Sequence, residues 1–460
     1  MSTIRCTSPV DGSLYAERPA LSPDEAMAVV NRARAAQPAW AATPLPERVA
    51  MVQEGIRRLN GMKDRVVEEL AWQMGRPVRA GGEFGGVNER AGYMGSIAES
   101  ALAPLVAEDS PAFDRRIERA PVGVVFCIAP WNYPYLTACN TVIPSLMAGN
   151  AVVHKAASQT LLVGERWADA FAGVLPEGVF QNVVLDHEGT EALIRARAFG
   201  FVNFTGSVAG GAAIERAAAG TFTPLGLELG GKDPAYVMED ADLDWAVDVL
   251  MDGAFFNSGQ CCCGIERVYV HRSLFDAFVD RSTAWTRQMR LGNPLDPATT
   301  MGPMASRRFA DGVRAQVSEA VAQGATPLIS REAFPQDDGG TYLAPQILVN
   351  VDHSMRVMRE ETFGPVVGIM PVDSDHEAIG LMNDSPYGLT ASLWTSDPER
   401  ALHLGRTVDT GTVFLNRADY LDPALCWTGC KDTGRGAALS ALGFHSVTRP
   451  RSYHLRKARA

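Results

Sequence analysis

The sequence has no apolar run approaching the roughly 18 residues that a membrane span requires. Its most apolar helical candidate, Leu243 to Phe256, is interrupted by Asp244, Asp248 and Asp252. The opening MSTIRCTSPV holds no apolar segment of the signal-peptide kind, so a cytoplasmic location is expected. Paired CxxC units and HExxH are missing, and no metal site is expected. Positive charge is the scarcer sign, with 42 Lys and Arg against 53 Asp and Glu and a net charge of −11. That balance excludes an extended nucleic-acid surface, which needs clustered cations. Only the tail, with Arg449, Arg451, Arg456, Lys457 and Arg459, is basic, and it reads as a solvated end. Eight cysteines in 460 residues, three of them contiguous, do not make a disulfide framework and suit a reducing compartment.

What is present is an ordered alternation of helical and strand-like segments. Ser22-Pro23-Asp24-Glu25 combines a capping box with proline at the first helical position, followed by Ala26, Val29, Val30, Ala33 and Ala36 at helical spacing. Pro44 and Pro46 introduce a second helix, and Lys63 to Met74 a third that Gly75 stops. A glycine-rich turn, Gly81 to Gly86, precedes another helical stretch through Tyr93 and Ile97, so the N-terminal region reads as helical. Phe113 to Arg119 alternates like an exposed hairpin strand, whereas Val122 to Ala129 is the short apolar run of a buried parallel strand. Further strands at Ala151 to His154, near Val183, and at Phe201 to Phe204 are separated by helices, which predicts βαβ units and a mostly parallel sheet. The pattern restarts after Gly230-Gly231, predicting a second α/β domain. Such sheets bind ligands at the carboxyl ends of their strands.

Four stretches carry chemistry. In Ser258-Gly259-Gln260-Cys261-Cys262-Cys263 a flexible pair precedes three thiols. Presented to a cleft as a thiolate, one sulfur is a nucleophile; otherwise the cysteines are small apolar core residues. In Pro130-Trp131-Asn132-Tyr133-Pro134 two prolines restrict the backbone, so the Asn132 amide is aimed at an oxyanion or the segment is simply a turn. Thr205-Gly206-Ser207, between a strand and a helix, suits a phosphate at a helix N-terminus, although it is not the GxGxxG fingerprint. Glu228, between two leucines in Leu227-Glu228-Leu229-Gly230-Gly231-Lys232, is either a general base of raised pKa or an ion-pair partner of Lys232.

Together these stretches closely resemble the aldehyde dehydrogenase superfamily along nearly the whole chain. Phe-x-x-x-Gly-Gln-x-Cys ends at Cys262, Glu228 stands 34 residues before it, and Pro-Trp-Asn-x-Pro is intact. Lys155, Glu360-Glu361-Thr362-Phe363-Gly364-Pro365 and Gly411-Thr412-Val413-Phe414-Leu415-Asn416 complete the set. The resemblance implies NAD(P)-dependent oxidation of an aldehyde to a carboxylic acid. It implies Cys262 as nucleophile, Asn132 as oxyanion donor and Glu228 as the base that activates the hydrolytic water. Trp131, Lys155, Ser158, Gly206, Ser207, Glu361 and Phe363 are implied to hold the cofactor. Members restricted to NAD often carry glutamate three residues after the lysine; Ser158 stands there, so NADP is expected to be accepted, with NAD also open. The implied substrate lining is Tyr133, Leu136, Phe256, Cys261, Cys263, Tyr420, Leu421 and Trp427, which suits a medium aliphatic or aromatic aldehyde. Arg417 is the alternative, as an anchor for a semialdehyde carboxylate or simply a surface arginine.

By the same resemblance the fold class is α/β. It has a Rossmann-like cofactor domain over residues 1–106 and 121–230, a catalytic domain over 231–435, and a β-flap over 107–120 and 436–460. The flap implies a homodimer or homotetramer. Two other function classes stay open at this point: a catalytically silent binding or structural protein on the same fold, and a cofactor-free thioesterase-like hydrolase. The pattern is departed from at Gly436, where many relatives have an acidic residue, and at Thr428-Gly429-Cys430-Lys431.

Overall fold

Short, uncharged runs of β-branched and aromatic residues become the central strands. In VVFCI, the strand Val124–Ile128, every residue is buried, because helices cover both faces of its sheet. A computed structural model of the chain describes residues 2–457; Arg459 of the basic tail and the last residues of the expected flap lie outside that range. The first sheet has six strands in the order Gly434–Arg435, Leu225–Glu228, Phe201–Thr205, Val124–Ile128, Ala151–Lys155 and Phe180–Asn182. The last five run parallel, with Val125 opposite both Val152 and Phe201. The chain order reverses beside Val124–Ile128, which is the kind of switch point where a crevice opens beyond the strand ends. Helices Leu45–Asn60, Lys63–Met74, Phe84–Leu102 and Pro134–Met147 bury one face around Trp40, Tyr135 and Trp167. Helices Pro23–Ala42, His187–Arg195 and Val208–Ala218 bury the other around Phe126 and Val153.

The second sheet has seven strands in the order Thr326–Pro327, Gln346–Val349, Val366–Val372, Ile265–His271, Asp233–Val237, Thr390–Trp394 and Thr412–Leu415. All pairings are parallel except that of Thr326–Pro327. A third, three-stranded antiparallel sheet joins Leu105–Asp109, Phe113–Pro121 and Thr448–Arg456.

The N-terminal region is not purely helical. Thr3–Thr7 and Leu14–Pro19 form an antiparallel hairpin ahead of the first helix. Only Cys6 and Ala16 are buried along it, so its alternation is too short to stand out. Docking supplies what the pattern lacks: the Cys6 thiol donates to the Gln159 carbonyl at 3.0 Å. Near the other end, Gly434–Arg435 pairs antiparallel with Glu228 and Leu227, and Phe444 of the helix Ser440–Ser446 is buried in the core of the first sheet. The late chain thus closes the edge beside Glu228. No described helix is long and apolar enough to cross a membrane.

Candidate active site

The helix Leu243–Phe255 runs into a tight turn, Phe256–Gly259. Asn257, Ser258 and Gly259 all take left-handed backbone, with φ of 53°, 58° and 69°. Two of the three are not glycine, so surrounding contacts must hold the conformation. The Ser258 hydroxyl donates to the Gly302 carbonyl at 2.8 Å. The Gln260 side chain donates to the Asn257 carbonyl at 3.0 Å and accepts from the Ala305 amide at 2.8 Å. Gly259 lies against the next loop: a Cβ there would sit 2.3 Å from the Gly364 carbonyl oxygen. The turn delivers the cysteines in front of the strand Ile265–His271, with Cys262 half-buried and Cys261 and Cys263 buried. The flanking Cys261 and Cys263 thiols bring the Cys262 pKa down to about 6, against the opposing effect of burial. The Cys261 thiol is pushed up to about 12, first by the adjacent Cys262.

Asn132 follows the strand Val124–Ile128 and is buried. Its side-chain amide donates to the Gln260 carbonyl at 3.2 Å, directing it at the cysteine turn. Two residues absent from the sequence reading hold this loop. Arg76 donates to the Asn132 carbonyl and pairs with Glu83 at 2.6 Å. Glu83 in turn accepts the Tyr135 and Leu136 amides at 3.0 and 2.7 Å, at the start of the helix Pro134–Met147. A carboxylate there also suits the positive end of the helix. Neither residue sits in a recognisable motif; a lone Arg-Glu pair seven positions apart in a glycine-rich stretch was the only signal.

Glu228 ends the strand Leu225–Glu228 and accepts from the Thr205 hydroxyl at 3.2 Å. Burial raises its pKa to about 7. Lys232 is not its partner. That ammonium pairs with Glu266 and donates to the Thr362 hydroxyl at 2.8 Å. Glu228 also lines a small cavity of about 20 Å³ together with Asn140, Thr141, Asn203 and Gly436, room for one water. The side-chain nitrogen of Asn140 is buried with no partner among the described residues.

Cys262, Asn132 and Glu228 all line one cavity of about 920 Å³. Trp131, Lys155, Ser158, Gly206, Ser207, Glu361 and Phe363 line the same space, so the expected catalytic and cofactor residues converge. The cavity has the size of a cofactor cleft. Desolvation lowers the pKa of the half-buried Lys155 to about 8, and its ammonium makes no hydrogen bond or ion pair among the described residues. Ser207 caps the helix Val208–Ala218, accepting from the Gly210 amide at 3.2 Å, at an end suited to a phosphate. A dinucleotide with its pyrophosphate at that helix and its hydroxyls on Lys155 fits these groups. Trp131 stacks on Phe309 at 5.1 Å and meets Phe363 edge-on at 5.5 Å. Glu361 is raised to about 8, by burial and then by Glu266, and it accepts the Gly231 amide at 3.1 Å.

Glu266 was not anticipated either. It accepts the Thr362 and Phe363 amides at 2.8 and 2.9 Å while pairing with Lys232. This buried carboxylate fixes the loop that carries Glu361 and Phe363, including the left-handed Phe363 with φ of 50°.

Of the expected substrate lining, Tyr133, Cys261, Cys263, Leu421 and Trp427 gather in one cluster with Cys262. Leu136 packs instead on the helical core, where its side chain abuts Gly86. Tyr420 reaches the surface, and its hydroxyl donates to Glu89. Phe256 is half-buried at the head of the cysteine turn. Arg417 is exposed and lies over the Tyr420 ring at 3.6 Å. Asp419, unremarked in the sequence, reaches in between the flanking thiols and accepts from Cys261 at 3.3 Å and Cys263 at 2.9 Å.

A family model described as "Aldehyde dehydrogenase family" matches residues 1–453. The 4,4'-diapolycopene aldehyde oxidase of a Methylomonas species is 36% identical over 462 aligned residues, covering 98% of this chain and 85% of that protein. A succinate semialdehyde dehydrogenase [NAD(P)+], Sad, of Escherichia coli K12 is 32% identical, covering 88% of each. The fold matches the crystal structure of an NADP-dependent glyceraldehyde-3-phosphate dehydrogenase from Bacillus halodurans C-125, complexed with NADP, at a TM-score of 0.92. Identity there is 32%, with 99% of this chain and 96% of that one covered.

Proposed function

Because this chain belongs to the aldehyde dehydrogenase family, and proteins that use NAD(P) are among those it resembles, we propose that it makes carboxylic acids through a thioester on Cys262. The observation that carries this reading is the convergence of Cys262, Asn132 and Glu228 on one cavity with the cofactor residues. The Cys262 thiolate attacks the aldehyde carbon. The Asn132 side-chain amide and the Cys262 backbone N–H stabilise the oxyanion of the thiohemiacetal. The two-electron oxidant is what a bound nicotinamide supplies. Glu228 then takes a proton from a water that attacks the thioester carbon, the Cys262 sulfur leaves, and the acid departs. Glu228 and Cys262 line the same large cavity, which gives that water a place between them, and the small cavity on the far side of Glu228 has room for a second water beside the carboxylate. Lys155 and the Ser207 helix end hold the nucleotide, while Glu361 and Phe363, braced by Glu266, orient its reactive end.

NADP is accepted as well as NAD. Ser158 leaves no carboxylate in the position that repels a 2′-phosphate, and Lys155 supplies an unpaired cation beside it. The substrate is a neutral aliphatic or aromatic aldehyde: the cluster around Cys262 is mostly apolar, and Arg417 is turned to the surface on Tyr420. The chain forms a homodimer or a dimer of dimers through its three-stranded sheet. The edge strand Leu105–Asp109 bares Leu105 and Val106, 68% and 57% exposed, an aggregation liability unless paired. Eight free thiols suit the cytoplasm.

Comparing kcat/KM for straight-chain, aromatic and carboxylated aldehydes, with NAD and with NADP, tests this reading. Cys262→Ala is expected to abolish oxidation while nucleotide still binds. A preference for succinate semialdehyde refutes the substrate class, and full activity in Cys262→Ala refutes the mechanism.

A further inference from the structure

Contiguous cysteines do not look like a metal site in sequence, because metal motifs are read from spaced pairs. The folded turn changes that. The sulfurs of Cys261, Cys262 and Cys263 lie within 4.8 Å of one another, with those of Cys261 and Cys263 3.5 Å apart. A fourth donor arrives from a distant loop: Asp419 Oδ1 is 3.3 Å from the Cys261 sulfur and 2.9 Å from that of Cys263. A tetrahedral zinc ion with bonds of about 2.3 Å to sulfur holds its sulfurs roughly 3.8 Å apart, and its sulfur–oxygen separations are about 3.5 Å. The Cys261–Cys263 and Cys261–Asp419 separations stand within a few tenths of an ångström of these values before any ion enters, the Cys263–Asp419 contact is roughly half an ångström shorter, and the Cys262 sulfur lies within 4.8 Å of both flanking sulfurs. Thiolates and a carboxylate are the donors that borderline-soft divalent ions prefer. Cys262 lines the large cavity, which gives the ion a way in.

We propose that Cys261, Cys262, Cys263 and Asp419 form a zinc-binding site, and that zinc bound there reversibly silences the enzyme by occupying the Cys262 sulfur. Each thiol that coordinates releases its proton to solvent, and no electron moves. Zinc therefore competes with the aldehyde and leaves the nucleotide end of the cavity free.

The test uses the full chain, reduced and metal-free. Cobalt(II) titration is expected to give a thiolate-to-metal charge-transfer band that saturates at one ion per chain and is displaced by zinc. Zinc is expected to abolish aldehyde oxidation with the same midpoint, and a chelator to restore it. Asp419→Asn and the Cys261→Ser/Cys263→Ser double variant are expected to weaken binding at least about tenfold, a loss that even an outer-shell partner can produce. In case these variants fold poorly, alkylation of wild-type Cys262 by iodoacetamide, followed by mass spectrometry, is expected to be blocked by zinc. An absent band, unchanged affinity in the double variant, or undiminished Cys262 alkylation in saturating zinc overturns the proposal. The inhibition arm rests on Cys262 being the nucleophile, but the cobalt and alkylation arms do not. If the dehydrogenase reading alone is wrong, the metal-free protein forms no reduced cofactor while metal still binds.

Discussion

Replacing Glu228 by glutamine separates the two halves of the proposed reaction. The half-buried carboxylate ends its strand with a pKa raised to about 7, so as a base it works only above that pH. In wild type, turnover is expected to fall about tenfold per pH unit below 7 as Glu228 protonates. Cys262, lowered to about 6, stays largely thiolate down to that value, so the acylation limb lies a unit lower. In Glu228→Gln the base is gone at every pH. Losing a general base typically costs 10²- to 10⁴-fold, about 3 to 5 kcal/mol of barrier. Stopped-flow absorbance of reduced cofactor is expected to show a near-stoichiometric burst followed by a steady state slowed by that factor, with the limb near pH 7 abolished. Stability supplies a second readout. Because the folded-state pKa is raised above the ordinary glutamate value of 4.5, the folded protein holds a proton that the unfolded chain has lost. This contribution is complete below pH 4.5 and is lost as pH rises through 7. Keeping the carboxylate ionised above pH 7 costs up to about 3 kcal/mol, so Glu228→Gln is expected to melt higher than wild type at pH 8, with the gain vanishing near pH 4.5. Loss of the burst together with turnover, or an unchanged steady state, refutes the assignment of Glu228 to thioester hydrolysis.

Three further outcomes follow from neighbouring contacts. Glu266→Gln strips Lys232 of its buried counter-charge and loosens the Glu361–Phe363 loop. It is expected to cost about 3 to 5 kcal/mol of stability and to raise the Kd for reduced cofactor measured by fluorescence titration; an unchanged Kd refutes the bracing role. Ser158→Glu sets a carboxylate where a 2′-phosphate would lie, and kcat/KM for NADP is expected to fall on the order of a hundredfold relative to NAD, whereas an unchanged ratio refutes contact at that position. Leu105→Arg with Val106→Asp puts charges on the bare edge strand, and light scattering is expected to give monomers where wild type gives dimers or larger; an unaltered mass refutes association through that edge.

The primary structure alone determined the parallel strands and the identities of the converging side chains. A continuous apolar run such as Val124–Ile128 can only be buried on both faces, and the Asn132, Glu228 and Cys262 stretches are read from residues adjacent in the chain. The hairpin Thr3–Thr7 with Leu14–Pro19 escaped because only Cys6 and Ala16 carry its inward face. The supporting groups escaped for a different reason. Arg76 meets Asn132 across 56 residues, Lys232 meets Glu266 across 34, and Cys263 meets Asp419 across 156. No local propensity or spacing encodes such contacts. Only the packing of one sheet against another decides whether a buried charge finds its partner, which pKa values move, and whether three neighbouring thiols face apart or together.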